Sequence, residues 1–216
     1  MRAVFPHAVA KYVRHELSVK FPIANALTFA RIVMIPLVVV MFYLPYRWAH
    51  PASATVFILA AITDSLDGYL ARKLQQTSAL GAFLDPVADK LMVATALILL
   101  VSDEPVFLRP FHFNPHIVIT ITAAIIVGRE ITISALREWM AEMGARGKVA
   151  VSALGKLKTI FQMTGLSMML FQWDLLGMPV FEAGVACLMA AAALTLWSMI
   201  GYLRVAWPEL MKHQPQ

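Results

Sequence analysis

A chain of 216 residues with 60% hydrophobic and 14% charged side chains does not resemble a soluble domain, which runs at about 45–50% apolar and about 25% charged; with a mean hydropathy of +0.71 it reads as a polytopic membrane protein. The formal net charge of +5 does not point to nucleic acid, because the basic residues flank or interrupt apolar segments and form no long run; anionic lipid surfaces and phosphorylated substrates suit that distribution better. One cysteine, Cys187, excludes a disulfide framework and suits a small apolar site.

At the N-terminus, Met1 to Lys20 has no clean apolar core or small-residue cleavage site, so no cleavable signal is expected. Residues 5–20 alternate Val9, Tyr12, Val13 and Leu17 with Lys11, Arg14 and Glu16, the pattern of a short amphipathic helix lying at an interface. The predicted organisation is an interfacial segment over 1–21, followed by one six-helix domain over 22–216. Its apolar segments fall at about 22–44, 53–72, 84–102, 116–138, 152–172 and 180–205, each near the roughly 20 residues that cross a bilayer. Six crossings put both termini on one side. That side collects Arg2, Lys11, Arg14, Lys20, Arg72, Lys73, Arg146, Lys148, Arg204 and Lys212, whereas the opposite loops hold only Arg47 and Arg109. The asymmetry predicts cytoplasmic termini.

The first segment opens with Asn25, Thr28 and Arg31 at steps of three. Taken alone, Asn25 suits a helix cap and Thr28 a satisfied hydroxyl, but Arg31 lies deeper and needs a partner. The second and third segments carry Asp64-Ser-Leu-Asp67-Gly68-Tyr-Leu-Ala71-Arg72 and, eight residues on, Gly81-Ala-Phe-Leu-Asp85-Pro-Val-Ala-Asp89. On a helix Asp64, Asp67, Gly68, Ala71 and Arg72 share one face. Asp85 and Asp89 are one turn apart on the next segment, so the two pairs of acids are expected to meet across a groove between antiparallel neighbours. Four acids this close cannot all stay ionised without compensating cations, and an oxygen-rich set suits magnesium, manganese or calcium. Two plainer readings compete: neutralisation of Asp64 by Arg72 and of Asp85 or Asp89 by Lys90, or exposed turn residues around Asp85-Pro86. Neither accounts for all four acids together with the two glycines. Ionisable groups at membrane depth are costly and usually functional.

The fourth segment ends with Arg129, Glu130, Arg137 and Glu138, and Lys156 and Lys158 open the fifth. Arg129 and Arg137 lie about 80° apart around a helix, on one broad face. Four cations against two acids predict a cationic cup for a second, phosphorylated substrate; salt bridging to Glu130 and Glu138, or snorkelling lysines, is the plainer alternative. In the last segment Ala183, Cys187, Ala191 and Thr195 recur every four residues, a row that lets helices approach closely, within the bundle or, as the alternative, across a dimer. The six histidines lie in tails, loops or segment ends and read as interfacial or solvated.

The spacing D-x2-D-G-x2-A-R-x8-G-x3-D-x3-D, eight fixed residues over 26 positions, matches the signature of the CDP-alcohol phosphotransferases at every position. This resemblance implies that Asp64, Asp67 and Asp85 hold metal, that Asp89 is the general base with a metal contact of its own, and that the cofactor is Mg2+ or Mn2+, as two ions. It also implies that Asp64, Gly68, Ala71, Arg72 and Gly81 contact the CDP moiety, with Asn25 and Thr28 bordering it. The stretches 25–31, 42–45, 129–141 and 155–158 are similar to the bacterial members that use CDP-diacylglycerol as donor and glycerol 3-phosphate as acceptor. By that similarity the cup of Arg129, Arg137, Lys156 and Lys158 takes the acceptor phosphate, the protein is a homodimer, and it sits in the bacterial inner membrane with its site facing the cytoplasm. A different acceptor (inositol phosphate, serine or a lipid) is the alternative within the family. A cation transporter is the alternative outside it, although the acids cluster at one face rather than along a path through the bilayer.

Overall fold

Every apolar run folds as one helix. The computed structural model describes residues 23–74, 79–103, 114–143 and 153–212, with the backbone alone for residues 23, 24, 67–74, 79, 80, 82, 153, 154, 209, 210 and 212. The helices are α1 (Ile23–Phe42), α2 (Ala49–Leu74), α3 (Ala79–Ser102), α4 (Pro115–Glu142), α5 (Ala153–Phe171) and α6 (Val180–Lys212). The expected interfacial segment at 1–21 lies outside the described residues.

Three of the six, α1, α4 and α6, are long and apolar enough to cross a membrane, over Asn25–Phe42, Pro115–Glu142 and Val180–Pro208. The other three are broken in hydropathy by the residues singled out above: Asp64, Asp67 and Arg72 in α2, Asp85 and Asp89 in α3, Lys156 and Lys158 in α5. The expectation of six helices holds, while their apolarity divides them into three plain spans and three that carry charge. α2, α4 and α6 run past the expected ends, because polar residues that no longer favour lipid still continue the helix.

Side-chain contacts define two ends of the bundle. At the motif end, Arg31 of α1 meets Asp64 of α2 and Asp89 of α3, and Lys158 of α5 meets Glu130 of α4. At the distal end, the Tyr43 hydroxyl lies 3.0 Å from Ser102 Oγ, and Gln172 donates to Asp103. Tyr46 and Trp48 stack in the α1–α2 turn, 5.5 Å apart and 6° from parallel, and Trp173 stands in the α5–α6 turn. Aromatic rings so placed suit a membrane–water boundary. Asn114 caps α4 by accepting from the His116 N–H at 3.1 Å, with Pro115 at the first helical position.

The core runs through the middle of the bundle around Phe57, Leu97, Leu100, Ile126, Leu166, Met169, Phe181 and Leu188. A separate cluster at the motif end joins Ile133 and Met140 of α4 to Tyr202 and Ala206 of α6. The closest helix pairing is α5 on α6. There a Cβ on Gly165 would meet the Gly184 carbonyl oxygen at 2.9 Å and the Leu188 nitrogen at 3.0 Å. Of the small-residue row, Ala191 and Thr195 are fully buried within the chain and pack inside the bundle, whereas Cys187 is half-buried and Ala183 exposed. α2 and α3, adjacent in sequence and sharing the acidic motif, touch each other only sparingly among the described residues; α1 packs against both and joins them.

Candidate active site

The acidic motif is assembled by α1. Arg31, two turns into that helix and 1% exposed, places Nη1 2.7 Å from Asp89 Oδ1 and 2.9 Å from Asp64 Oδ1. One guanidinium nitrogen thus collects a carboxylate from each of two helices that barely touch. Three residues earlier, buried Thr28 donates from Oγ1 to Asp85 Oδ1 at 2.5 Å. The step of three that marks Asn25, Thr28 and Arg31 in sequence is therefore one face of α1 turned toward the motif, and Asn25 is buried within its first turn.

Both plainer readings of the acids change. Arg31 is a cation at Asp64, the expected partner Arg72 having its side chain outside the described atoms, and Lys90 reaches across to Ser134 Oγ on α4. Asp85 and Pro86 lie inside α3, not in a turn. The carboxyls of Asp64 and Asp89 are 42% and 48% exposed, open to solvent or ligand on the side away from Arg31. Gly81 is buried in the first turn of α3. The side chains of Asp67, Gly68, Ala71 and Arg72 lie outside the description; their backbone continues α2.

Beside the acids opens a cavity of about 990 Å³ between α2, α3 and α5. Arg31, Asp64, Asp89 and Lys90 border it on one side, Glu130 and Lys158 on the other. From this charged end it continues along α2 through Ile62, Ala61 and Ile58, and along α5 through Met163, Thr164 and Met168. From Asp64 to Ile58 on α2 and from Lys158 to Met168 on α5, the depth lies roughly 9–15 Å of helix from the charged end. A polar mouth continuous with an apolar strip of that length suits a substrate with a charged head and a lipid tail.

The cationic cup is gathered unevenly. Lys158 is buried and donates to Glu130 Oε1, and Arg129 Nη1 reaches the same oxygen at 3.1 Å. Salt bridging to Glu130 therefore occurs, but a single carboxylate faces two cations and leaves positive charge over. Arg129 and Arg137 each place Cζ 5.7 Å from the centre of the Tyr202 ring on α6. Of the four predicted cup residues only Lys158 borders the cavity: Arg129 and Arg137 lie beyond Glu130 and do not line it, and Lys156, about 200° around α5 from Lys158, is exposed and does not line it either.

Three site residues escape the sequence reading in whole or in part. Glu130 is visible there only as a counter-charge, not as the link between two cations. Gln162, 4% exposed, lines the cavity with an amide oxygen that has no hydrogen-bond partner among the described residues; its spacing of four from Lys158 is the signal that places it on the same helix face. Tyr202 lies in an apolar run where nothing marks it.

Among the described residues no three carboxylates converge on one point: Asp64 and Asp89 meet at the Arg31 guanidinium, and Asp85 accepts from Thr28. Their oxygens are hard donors of the kind magnesium and manganese take.

The sequence profile of the CDP-alcohol phosphatidyltransferases matches residues 21–197. The chain belongs to this family. Among its relatives, the CDP-diacylglycerol--glycerol-3-phosphate 3-phosphatidyltransferase of Sodalis glossinidius is 50% identical over 187 residues, covering 87% of this chain and 96% of that protein. The proteins of that name from Pseudomonas fluorescens and Escherichia coli K12 are 48% and 46% identical, covering 87% and 89% of this chain and 91% and 98% of their own lengths. Family and apolar helices together make this a membrane protein.

Proposed function

We propose that the protein transfers the phosphatidyl group of CDP-diacylglycerol to glycerol 3-phosphate, giving phosphatidylglycerol phosphate and CMP. The observation that carries this reading is the cavity whose charged end sets Asp64 and Asp89 opposite Lys158 and whose depth is apolar. A nucleotide-activated lipid and a phosphorylated alcohol together need that combination, and the relatives' shared name supplies both substrates.

In the reaction, the primary hydroxyl oxygen of glycerol 3-phosphate forms a bond to the phosphorus that carries diacylglycerol. The bond from that phosphorus to the pyrophosphate bridging oxygen breaks, and CMP leaves with that oxygen. Asp89 takes the hydroxyl proton; a carboxylate so placed contributes about 10²–10⁴-fold. Arg31, donating to Asp89, holds that carboxylate toward α2. Asp64, Asp67, Asp85 and Asp89 would hold two Mg2+ or Mn2+ ions, which neutralise the pyrophosphate oxygens and stabilise the leaving group. Asn25, Thr28, Gly68, Ala71, Arg72 and Gly81 border the CDP moiety. The acceptor phosphate is bound by Arg129, Arg137 and Lys158, supplying proximity rather than chemistry; Lys156 has the weakest geometric claim to that role.

The charge asymmetry between loops supports six crossings, with both termini and the site on the cytoplasmic face of a bacterial inner membrane and residues 1–21 lying along it. A homodimer follows from the family resemblance. The test is CMP release from CDP-diacylglycerol by purified protein with Mg2+, with and without glycerol 3-phosphate. Release that requires both the metal and glycerol 3-phosphate is expected. Release with inositol phosphate alone would keep the family and replace the acceptor, and no release with any alcohol by folded protein would overturn the reading.

A further inference from the structure

The two arginines of the cup share one aromatic ring, and that ring comes from the last helix. Arg129 and Arg137 are eight residues apart on α4, about 12 Å along its axis, yet each guanidinium carbon lies 5.7 Å from the centre of the Tyr202 ring. Two like charges on long side chains repel, and nothing in α4 alone would bring them toward a common point. A carboxylate could gather them, as Glu130 gathers Arg129 and Lys158, but at the cost of neutralising the charge an anion is to meet. An aromatic ring attracts a guanidinium through its electron-rich face and leaves both the charge and the N–H edges available.

The ring is well fixed for this. Tyr202 is 8% exposed and packs with Ile133, Met140 and Ala206, with Leu136, Trp139 and Met199 around them. Most of these side chains belong to α4, the helix that carries both arginines.

We propose that Tyr202 is a positioning residue for the acceptor phosphate: it holds Arg137 beside Arg129 in one anion-binding geometry and adds no negative charge to the one that Glu130 already sets against Arg129. The inference rests on the acceptor-cup reading of these arginines. The hydroxyl has no part in it, so the ring alone should suffice.

The test is steady-state kinetics of the purified full-length enzyme, varying glycerol 3-phosphate and CDP-diacylglycerol separately, with Tyr202→Phe, Tyr202→Leu, Tyr202→Met and Arg137→Ala. Tyr202→Leu should raise the KM for glycerol 3-phosphate by about tenfold or more. Its kcat and the KM for CDP-diacylglycerol should stay within about threefold. Tyr202→Phe should restore the parental acceptor KM, and Tyr202→Met, unbranched and of core character, should repeat the Leu phenotype if Leu yields no folded protein. An unchanged acceptor KM in folded Tyr202→Leu or Tyr202→Met, while Arg137→Ala raises it, would overturn the role of Tyr202 and leave the cup standing. If Arg137→Ala also leaves it unchanged, the cup reading itself falls and takes this inference with it. A Phe variant as impaired as Leu would place the effect in the hydroxyl and overturn the role of the ring, and loss of kcat and both KM values together would show that the ring serves packing alone.

Discussion

Arg31 brings a permanent charge to a buried position, where an unpaired ion would be costly, and spends it on two carboxylates from different helices. This arrangement accounts for how acids on two helices that scarcely touch can act together, and it leaves the outer oxygens of Asp64 and Asp89 open. Asp89 is the one given a proton-transfer role. Asp89→Asn keeps the shape and an oxygen for Arg31 but cannot take a proton. Its kcat should fall by at least about 10²-fold with nucleotide binding largely spared; near-normal turnover would remove Asp89 as the base. Thr28 acts one step further out, donating to Asp85 at 2.5 Å. Thr28→Val keeps the volume and loses the bond, and groups that orient a metal ligand are worth about 10–100-fold in metal affinity or activity. The half-saturating Mg2+ concentration should rise by about tenfold with recovery at high Mg2+, whereas an unchanged Mg2+ dependence would mean that Asp85 needs no such support.

Among the elements, α5 and α6 form the tightest pair because two glycines face each other. A Cβ at Gly165 would meet backbone atoms at 2.9 and 3.0 Å, and one at Gly184 would meet the Gly165 carbonyl oxygen at 3.0 Å. In lipid, helices associate through close packing rather than a hydrophobic drive, so such contacts count. Gly165→Ala should cost about 1–3 kcal/mol and lower the thermal midpoint in detergent. Gly201→Ala, whose new methyl would meet nothing within 4 Å, should be neutral or stabilising by up to about 1 kcal/mol. Equal midpoints for the two variants would contradict the tight α5–α6 approach. The helices themselves were legible in sequence, since each apolar run carries its own length. Their pairing was not. A soluble helix announces its buried face by a polar stripe opposite, but in lipid every face is apolar, so nothing in the 180–212 run marks Tyr202 as facing α4. Arg31 shows the converse: a charge deep in an apolar segment demands a partner, and only the partner's identity had to wait for the fold. Lys156 and Lys158 look alike in sequence, and only the rotation of α5 separates the exposed one from the one at the cavity.

At the scale of the whole molecule, the bundle is polarised. Its motif end gathers Arg31, Asp64, Asp89, Lys90, Glu130 and Lys158 around the cavity, while its distal end presents Tyr43, Tyr46, Trp48 and Trp173, with few charges among the described residues. A soluble acceptor and released CMP need access to the first end, and lysine and arginine in the adjoining loops favour retention on the cytoplasmic side. Two exposed tryptophans report the orientation: Trp48 in the distal turn and Trp207 near the motif end of α6, 51% and 61% exposed. With the lone cysteine removed as Cys187→Ser, Trp48→Cys in spheroplasts should react with a membrane-impermeant maleimide, and Trp207→Cys should react only after the membrane is opened. The inverse pattern would place the acidic cavity on the outer face, where neither a cytoplasmic nucleotide lipid nor glycerol 3-phosphate could reach it, and the proposed reaction would have to be given up along with the topology. Reaction of both sites in sealed spheroplasts would mean that α6 does not separate them by a bilayer, although at 33 residues it spans about 50 Å.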